Sequence, residues 1–308
     1  MWCFQFDDAR AAGDVTGSGQ ESLPEQFERH RSRLRAVAYR VLGSVGEAED
    51  AVQEAWIRLS RADAGEIESL GAWLTTVVGR IALDMLRSRT THPEQSMPVH
   101  LPDPIVDAVE ETTPENEAVV ADSIGLAMQV VIERLGPAER LAYVLHDMFA
   151  VPFDEIAPLV ERSSDATRQL ASRARRRVRS EDPRPDLDLN RQREAAEAFL
   201  TASREGDFEA LVAVLDPEVV LRADKGPVPA SKEVRGAEAV AARAQTFARL
   251  DLERHEVLVN GALGYVATLK GAPYSLGTFT VRDGRIVELY FLTDPKRLAQ
   301  LDLSAIGL

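Results

Sequence analysis

Apolar positions in the first third of the chain recur at helical steps. Phe27, Leu34, Val37, Ala38, Val41 and Leu42 share one stripe that stops at Gly43. Ala48, Val52, Ala55 and Leu59 predict a second helix. Leu70, Trp73, Val77, Ile81 and Met85 predict a third, closing in Arg87 and Arg89, cations that suit the negative end of a helix. Val120, Ile124, Ala127, Val131 and Leu135 repeat the style until Gly136-Pro137 turns the chain, and Leu141, Leu145 and Met148 continue it. After Leu189 the period changes. A helix is expected from Ala195 to Leu215, running into Val219–Arg222, and another from Ala237 to Leu250. Strand-like runs come next at Glu256–Val259, Gly264–Lys270, Ser275–Arg282 and Arg285–Leu292. Asp283-Gly284 suits a tight hairpin, whose central residues need positive φ. Helices first and a meander afterwards predict an α+β unit.

Phe153 to Arg177 reads as a helix-turn-helix. Glu155-Ile156-Ala157 opens a short helix with Val160 one turn later, and Ser163 is placed to cap a second helix from Ser164 to about Arg177. Ala166, Leu170 and Ala174 are expected to face inward. Ser164, Arg168, Gln169, Ser172, Arg173 and Arg176 are then the DNA-binding candidates, since Gln can read adenine, Arg can read guanine, and the others grip phosphate. The alternative is an arginine-rich solvated helix that packs on a partner. Glu161 occupies the turn position where glycine is usual, and Pro158 falls inside the first helix.

Composition changes this picture once it is read by segment. Hydrophobic residues make up 45% of the 308, and 50 acids against 36 bases give a formal charge of −14, which excludes a chain coated in positive charge. Residues 1–23 carry four acids and one base and read as a flexible N-terminal extension. Residues 24–90 balance at ten and ten. Residues 91–115 hold six acids, five prolines and no base, the composition of a stiff acidic linker. Residues 116–180 balance at nine and nine, with six arginines and no acid between Ala166 and Ser180. The remainder, read as a domain over 189–308, is mildly acidic. The single cysteine, Cys3, excludes an internal disulfide and multi-cysteine zinc motifs. Met1–Gln20 is no secretory signal, and no run approaches the roughly 18 apolar residues of a membrane helix. The expectation is a cytoplasmic protein with no membrane partner, no cofactor and no metal site.

Three segments together resemble a bacterial RNA polymerase sigma factor of the extracytoplasmic-function (ECF) group. They are Ala48-Glu49-Asp50-Ala51-Val52-Gln53-Glu54-Ala55-Trp56, Ala72-Trp73-Leu74-Thr75-Thr76-Val77 through Asp84-Met85-Leu86-Arg87, and Ile156-Ala157 through Arg168-Gln169-Leu170-Ala171-Ser172-Arg173-Ala174-Arg175. The resemblance implies that residues 24–90 are sigma region 2, binding core RNA polymerase and the −10 promoter element, and that 116–180 are region 4, binding the −35 element. Asp50, Gln53, Glu54 and Ile57 share one helix face by their spacing, and become the implied core-polymerase contact. On its own that face would read as solvated. Trp73 reads either as a wedge against unstacked bases or as core. Arg80 is placed for a phosphate or a flipped base, and Arg87 and Arg89 for phosphates.

The tail resembles a SnoaL-like domain, a cone-shaped sheet wrapped by helices, which one subgroup of these factors carries fused to the sigma part. Leu101-Pro102-Asp103-Pro104, Ala223-Asp224-Lys225-Gly226-Pro227 and Asp294-Pro295-Lys296-Arg297-Leu298 stand where that subgroup has its signature elements. Leu101, Pro102, Asp103, Pro104, Asp224, Lys225, Asp294, Pro295 and Lys296 are therefore the interdomain regulatory candidates. The expected architecture is multidomain: two all-α helical domains, then an α+β cone-shaped domain that modulates them. Rival readings are a metabolite-sensing helix-turn-helix regulator and a SnoaL-like enzyme with an attached DNA-binding region. Asp224, His255 and Glu288 are the acid–base candidates of the latter. A non-enzymatic factor is preferred, and a small ligand in the C-terminal domain stays open.

Overall fold

The computed structural model describes residues 22–62, 67–91, 101–109, 125–181, 188–226, 232–246 and 250–308. Nearly all of the expected N-terminal extension, much of the linker, and Val120 and Ile124 lie outside them. Helix α1 (Leu23–Leu42) opens where Ser22 N–H donates to the Glu25 carboxylate at 2.9 Å and ends at Gly43 with φ 75°. Helices α2 (Val45–Arg61) and α3 (Leu70–Thr91) complete a three-helix block. The buried side of α3 is wider than its predicted stripe. Leu74, Val78, Ala82 and Leu83 are fully buried, while Leu70, Trp73, Val77 and Met85 are only partly so. Packing on two sides is the reason. α3 meets α1 and α2 on one side and the second helical block on the other.

That block comprises α4 (Leu126–Glu133), α5 (Pro137–Tyr143) with a π-helical turn at Val144–Met148, α6 (Phe153–Val160) and α7 (Ser164–Glu181). α6 and α7 form the helix-turn-helix. Glu161 takes the left-handed conformation, φ 56°, that glycine would adopt more cheaply. The Ser163 hydroxyl accepts from Ala166 N–H at 3.2 Å and caps α7. The inward stripe of α7 is Thr167, Ala171, Ala174 and Val178, whereas Ala166 and Leu170 are half-buried. The expected stripe is thus turned by about one residue, because α7 packs on α5 as well as on α6. A single apolar cluster runs from Phe27, Leu34 and Val78 to Leu141, Leu145, Leu159 and Ala171. The two helical blocks share a core.

In the C-terminal part the expected first helix is two, α8 (Leu189–Glu205) and α9 (Phe208–Val214). Gly206 at φ 72° breaks the run, and the Asp207 carboxylate caps α9. The chain continues through strands β2 (Leu215–Asp224) and β3 (Lys232–Arg235), helix α10 (Ala237–Gln245), and strands β4 (Glu253–Val259), β5 (Ala262–Leu269), β6 (Ala272–Arg282) and β7 (Arg285–Leu292), then one helical turn, α11 (Pro295–Leu298). Asp283 and Gly284 take φ 53° and 74°, as their hairpin requires.

The linker supplies an edge strand that its composition does not announce. β1 (Val106–Ala108) pairs antiparallel with β4, and the seven-stranded order is β1-β4-β5-β6-β7-β2-β3. Of the expected stiff acidic linker over 91–115, Val106–Ala108 thus join the C-terminal sheet. One face of that sheet packs on α8, α9 and α10 through Phe199, Leu211, Val240, Phe279 and Leu289. The other carries Tyr290, which is buried with Leu101, Leu126 and Val130 of the linker and α4. No helix among the described residues is long and apolar enough to cross a membrane.

Leu145 is fully buried, and its side chain lies 3.2 Å from where a β-carbon on Gly79 of α3 would stand. Leu145→Ala should cost about 2–5 kcal/mol. Urea denaturation followed by tryptophan fluorescence and by helical circular dichroism should show both helical blocks melting in one earlier transition. Two separate transitions would mean that the blocks have independent cores.

Candidate nucleic-acid interface and interdomain junction

The outward face of α7 is set by the stripe it buries. Arg168, Gln169, Ser172, Arg173 and Arg176 are exposed, and Ser164 is half-buried at the first turn. Several cations on this helix are held by acids beside it. Arg168 pairs with Asp165 at 2.7 Å and lies over the Phe153 ring, Arg175 pairs with Asp147 at 2.7 Å, and Arg177 and Arg173 reach Glu139 at 3.5 and 3.9 Å. Such exposed pairs are weak and exchange readily for phosphate. The side chains of Gln169, Ser172 and Arg176 make no hydrogen bond or ion pair among the described residues.

On the first block, Asp50 and Gln53 are exposed and Glu54 and Ile57 are half-buried at the surface, with Glu54 bonded to Arg58 at 2.9 Å. Gln53 also borders a groove between α1 and α2 whose apolar wall is Phe27 against Trp56, ring centroids 5.0 Å apart. Trp73 is half-buried against the core and Arg80 is exposed. Arg87 reaches across to Glu161 of the helix-turn-helix at 3.2 Å. Arg89, itself exposed, pairs with Glu47 and donates to the Leu42 carbonyl at 3.0 Å.

The segments meet at the C-terminal end of α1. The last carbonyls of a helix have no donor within the helix, and here donors arrive from elsewhere. Gln129 donates to Arg40 O at 3.1 Å, Arg140 to Val41 O at 3.0 Å, Arg89 to Leu42 O, and Asp103 N–H to Gly43 O at 2.8 Å. Asp103 is the linker's pivot. One carboxylate oxygen accepts from Val45 N–H at 3.0 Å, starting α2 where the Ser44 side chain makes no cap bond, and the other accepts from Arg297 at 2.9 Å. Its carbonyl accepts from the Tyr39 hydroxyl at 2.6 Å, which in turn accepts from Asn260 at 2.7 Å.

Arg297 also donates to Leu101 O at 2.7 Å and pairs with Asp224. The Asp224 carboxylate is fully buried and accepts from Leu101 N–H at 3.2 Å and Gly226 N–H at 3.0 Å. Pro102 and Pro104 of the linker are buried. Within the Asp294–Leu298 element the division of labour differs from the expected one. Asp294 caps α11 by accepting from Lys296 N–H at 2.9 Å, while Pro295 and the Lys296 side chain lie exposed. Arg297 and Asp294 share a face three residues apart, so Arg297, not Lys296, reaches the linker. Tyr39, Gln129, Glu133, Arg140, Asn260 and Arg297 are junction residues that pattern alone does not single out.

Glu133 sits in this junction with its carboxylate against Gly43. Burial pushes it up to about 7, against the pull of Arg140, Arg89 and Arg297, and the same burial brings Arg140 down to about 10. The three acid–base candidates of the tail do not converge. Asp224 is in the junction, and Glu288 is bound to Arg222 at 3.0 Å and to the Tyr290 hydroxyl at 2.8 Å. His255, with its Nε2 atom buried and unpartnered among the described residues, stands on β4, four strands across the sheet from Asp224 on β2.

Comparison with known proteins places these parts in order. Residues 26–91 match sigma-70 region 2, and residues 196–289 match a SnoaL-like domain. The ECF RNA polymerase sigma factor SigJ of Mycobacterium tuberculosis is 39% identical over 293 residues, covering 88% of this chain and 92% of the relative. SigI of the same organism, described as a probable ECF sigma factor, is 32% identical over 293 residues, covering 92% and 97%. The crystal structure of M. tuberculosis SigJ superposes with a TM-score of 0.69 at 35% identity, over 91% of this chain and 99% of that one. The likeness runs through the helical blocks, the linker and the sheet together rather than through one shared module, and on that ground the chain belongs to the ECF RNA polymerase sigma factors.

Proposed function

We propose that this sigma factor rests in a closed form that its C-terminal domain holds shut, and that core RNA polymerase and promoter DNA open it. Residues 24–90 engage core polymerase through Asp50, Gln53, Glu54 and Ile57, and the −10 element through Trp73, Arg80, Arg87 and Arg89. Residues 116–180 engage the −35 element through Ser164, Arg168, Gln169, Ser172, Arg173 and Arg176. The observation that carries the reading is the shared core of the two helical blocks. The two elements lie about 25 base pairs apart, roughly 85 Å of duplex at 3.4 Å per pair. Blocks with one core cannot reach both ends of that span, so Leu141, Leu145 and Leu159 must leave α3 before both are read. The junction at α1 opposes that separation, since linker, α4 and α11 all bind there. Polymerase shifts the balance only by binding the open form better.

Run-off transcription with purified core polymerase tests the reading directly. The full chain should give promoter-specific initiation only with core enzyme present; specific DNA binding by the chain alone would favour the metabolite-sensing regulator instead. Arg297→Ala removes a cation from the buried Asp224 carboxylate, a loss of about 3–5 kcal/mol. Amide exchange at Leu101 and Asp103 should quicken, and transcription at limiting sigma factor should rise. Unchanged exchange and unchanged transcription would dispose of the clamp.

Arg168→Ala should weaken −35 binding by about 1–3 kcal/mol in a competition assay with mutated elements. Asp50→Arg combined with Glu54→Arg should abolish capture of core polymerase in a pull-down, and retained capture would mean that this face is only solvated.

The raised Glu133 carboxyl sets a pH dependence. Its stabilising protonation is fully present below about 4.5 and is lost as pH rises through about 7. At 1.36 kcal/mol per pH unit the closed form should lose about 3 kcal/mol across that window. Thermal melts should show Glu133→Gln flattening this slope and gaining most at pH 8. An unaltered slope in the variant would assign the pH dependence to other groups.

A further inference from the structure

The helix-covered face of the C-terminal sheet encloses a cavity that the junction does not use. Its walls are Phe199, Leu221, Tyr265, Phe279 and Phe291, its volume is about 100 Å³, and it is partly open to solvent. That is somewhat less than the roughly 150 Å³ of a closed cavity that takes benzene, so an occupant of that size extends out through the opening. Three cations border it from three different elements: Lys225 after β2, Arg243 on α10 and Arg254 on β4. No carboxylate is among the described lining residues, in a chain of net charge −14. Arg254 is half-buried, its side chain makes no hydrogen bond or ion pair among the described residues, and it has the like charge of Arg204 nearby. A half-buried guanidinium without an anion is costly. Burial holds the Tyr265 phenol up at about 12, so it brings no negative charge.

We propose that this cavity binds a small monoanion with an apolar body, an aryl or short-chain alkyl carboxylate, whose ring or chain fills the aromatic walls and whose carboxylate meets Arg254. A neutral molecule of the same shape leaves the guanidinium unpaired, and a bare anion leaves the apolar walls empty. The placement bears on regulation, because strand side chains alternate between faces. Ala223, Phe291 and Thr293 border the cavity, while Asp224 and Tyr290 between them hold the linker and α4. An occupant therefore sits one residue from the contacts that close the molecule, so its regulatory meaning rests on the closed-form reading, whereas its binding does not.

Fluorine NMR titration of the full chain, without polymerase or DNA, provides the test and leaves the sigma-factor reading untouched by a negative result. The probes are trifluoromethylbenzoate, its amide trifluoromethylbenzamide, and inorganic phosphate as competitor. The benzoate should bind at least tenfold more tightly than the amide, and phosphate should compete poorly. Arg254→Gln should erase the preference for the acid, and Arg254→Lys should keep part of it, with thermal melts verifying that both variants fold. Equal affinity for acid and amide, full displacement by phosphate, an undiminished preference in Arg254→Gln, or no binding of the benzoate at millimolar concentration would each overturn the proposal.

Discussion

The carbonyl groups at the end of α1 are the constraint around which the molecule is organised. Buried and left to themselves they would each lose a hydrogen bond that water would otherwise make, a penalty of about 1–3 kcal/mol apiece. The chain meets them with donors from three separate stretches: Gln129 and Arg140 of the second helical block, Arg89 at the far end of α3, and the Asp103 amide of the linker. Each donor is itself anchored in another element. The end of one helix thereby ties together four parts of the sequence.

Cooperativity arises from how few groups close that circuit. Asp103 starts α2, receives Tyr39 and receives Arg297, so the linker cannot leave without breaking contacts to the first helical block and to the tail together. Arg297 bridges Asp103 and the buried Asp224, so its removal takes a cation from a buried charge rather than merely loosening a loop. Buried polar networks of this kind contribute little net stability when complete and are costly when half-complete. That asymmetry suits a two-state element, closed or open with little between.

Most of the secondary structure was legible along the chain because its signals are local. Gly43 stops α1, Ser163 caps α7, and Asp283-Gly284 turns the last hairpin, each through a conformation or a cap bond that the residue itself prefers. The misses share a cause. Gly206 breaks a helix whose apolar period continues past it, and β1 forms from a proline-rich acidic stretch only because β4 has an open edge beside it. The stripes of α3 and α7 came out turned or widened, since burial on a second side depends on neighbours far away in sequence.

Local signals were enough to specify a helical part with an exposed arginine helix, followed by an α+β part, because periodicity, capping and turn chemistry act within a few residues. That the helical part is a sigma factor came from its resemblance to that family. The resemblance to the fused subgroup marked most of the linker and tail elements that meet. Long-range packing alone made the two helical blocks share a core, gave the linker to Arg297 rather than Lys296, and spent Asp224 and Glu288 on contacts instead of converging them on a cavity. Those outcomes are set by which donors and acceptors are left unpaired when distant helices and strands come together, and no local pattern records that.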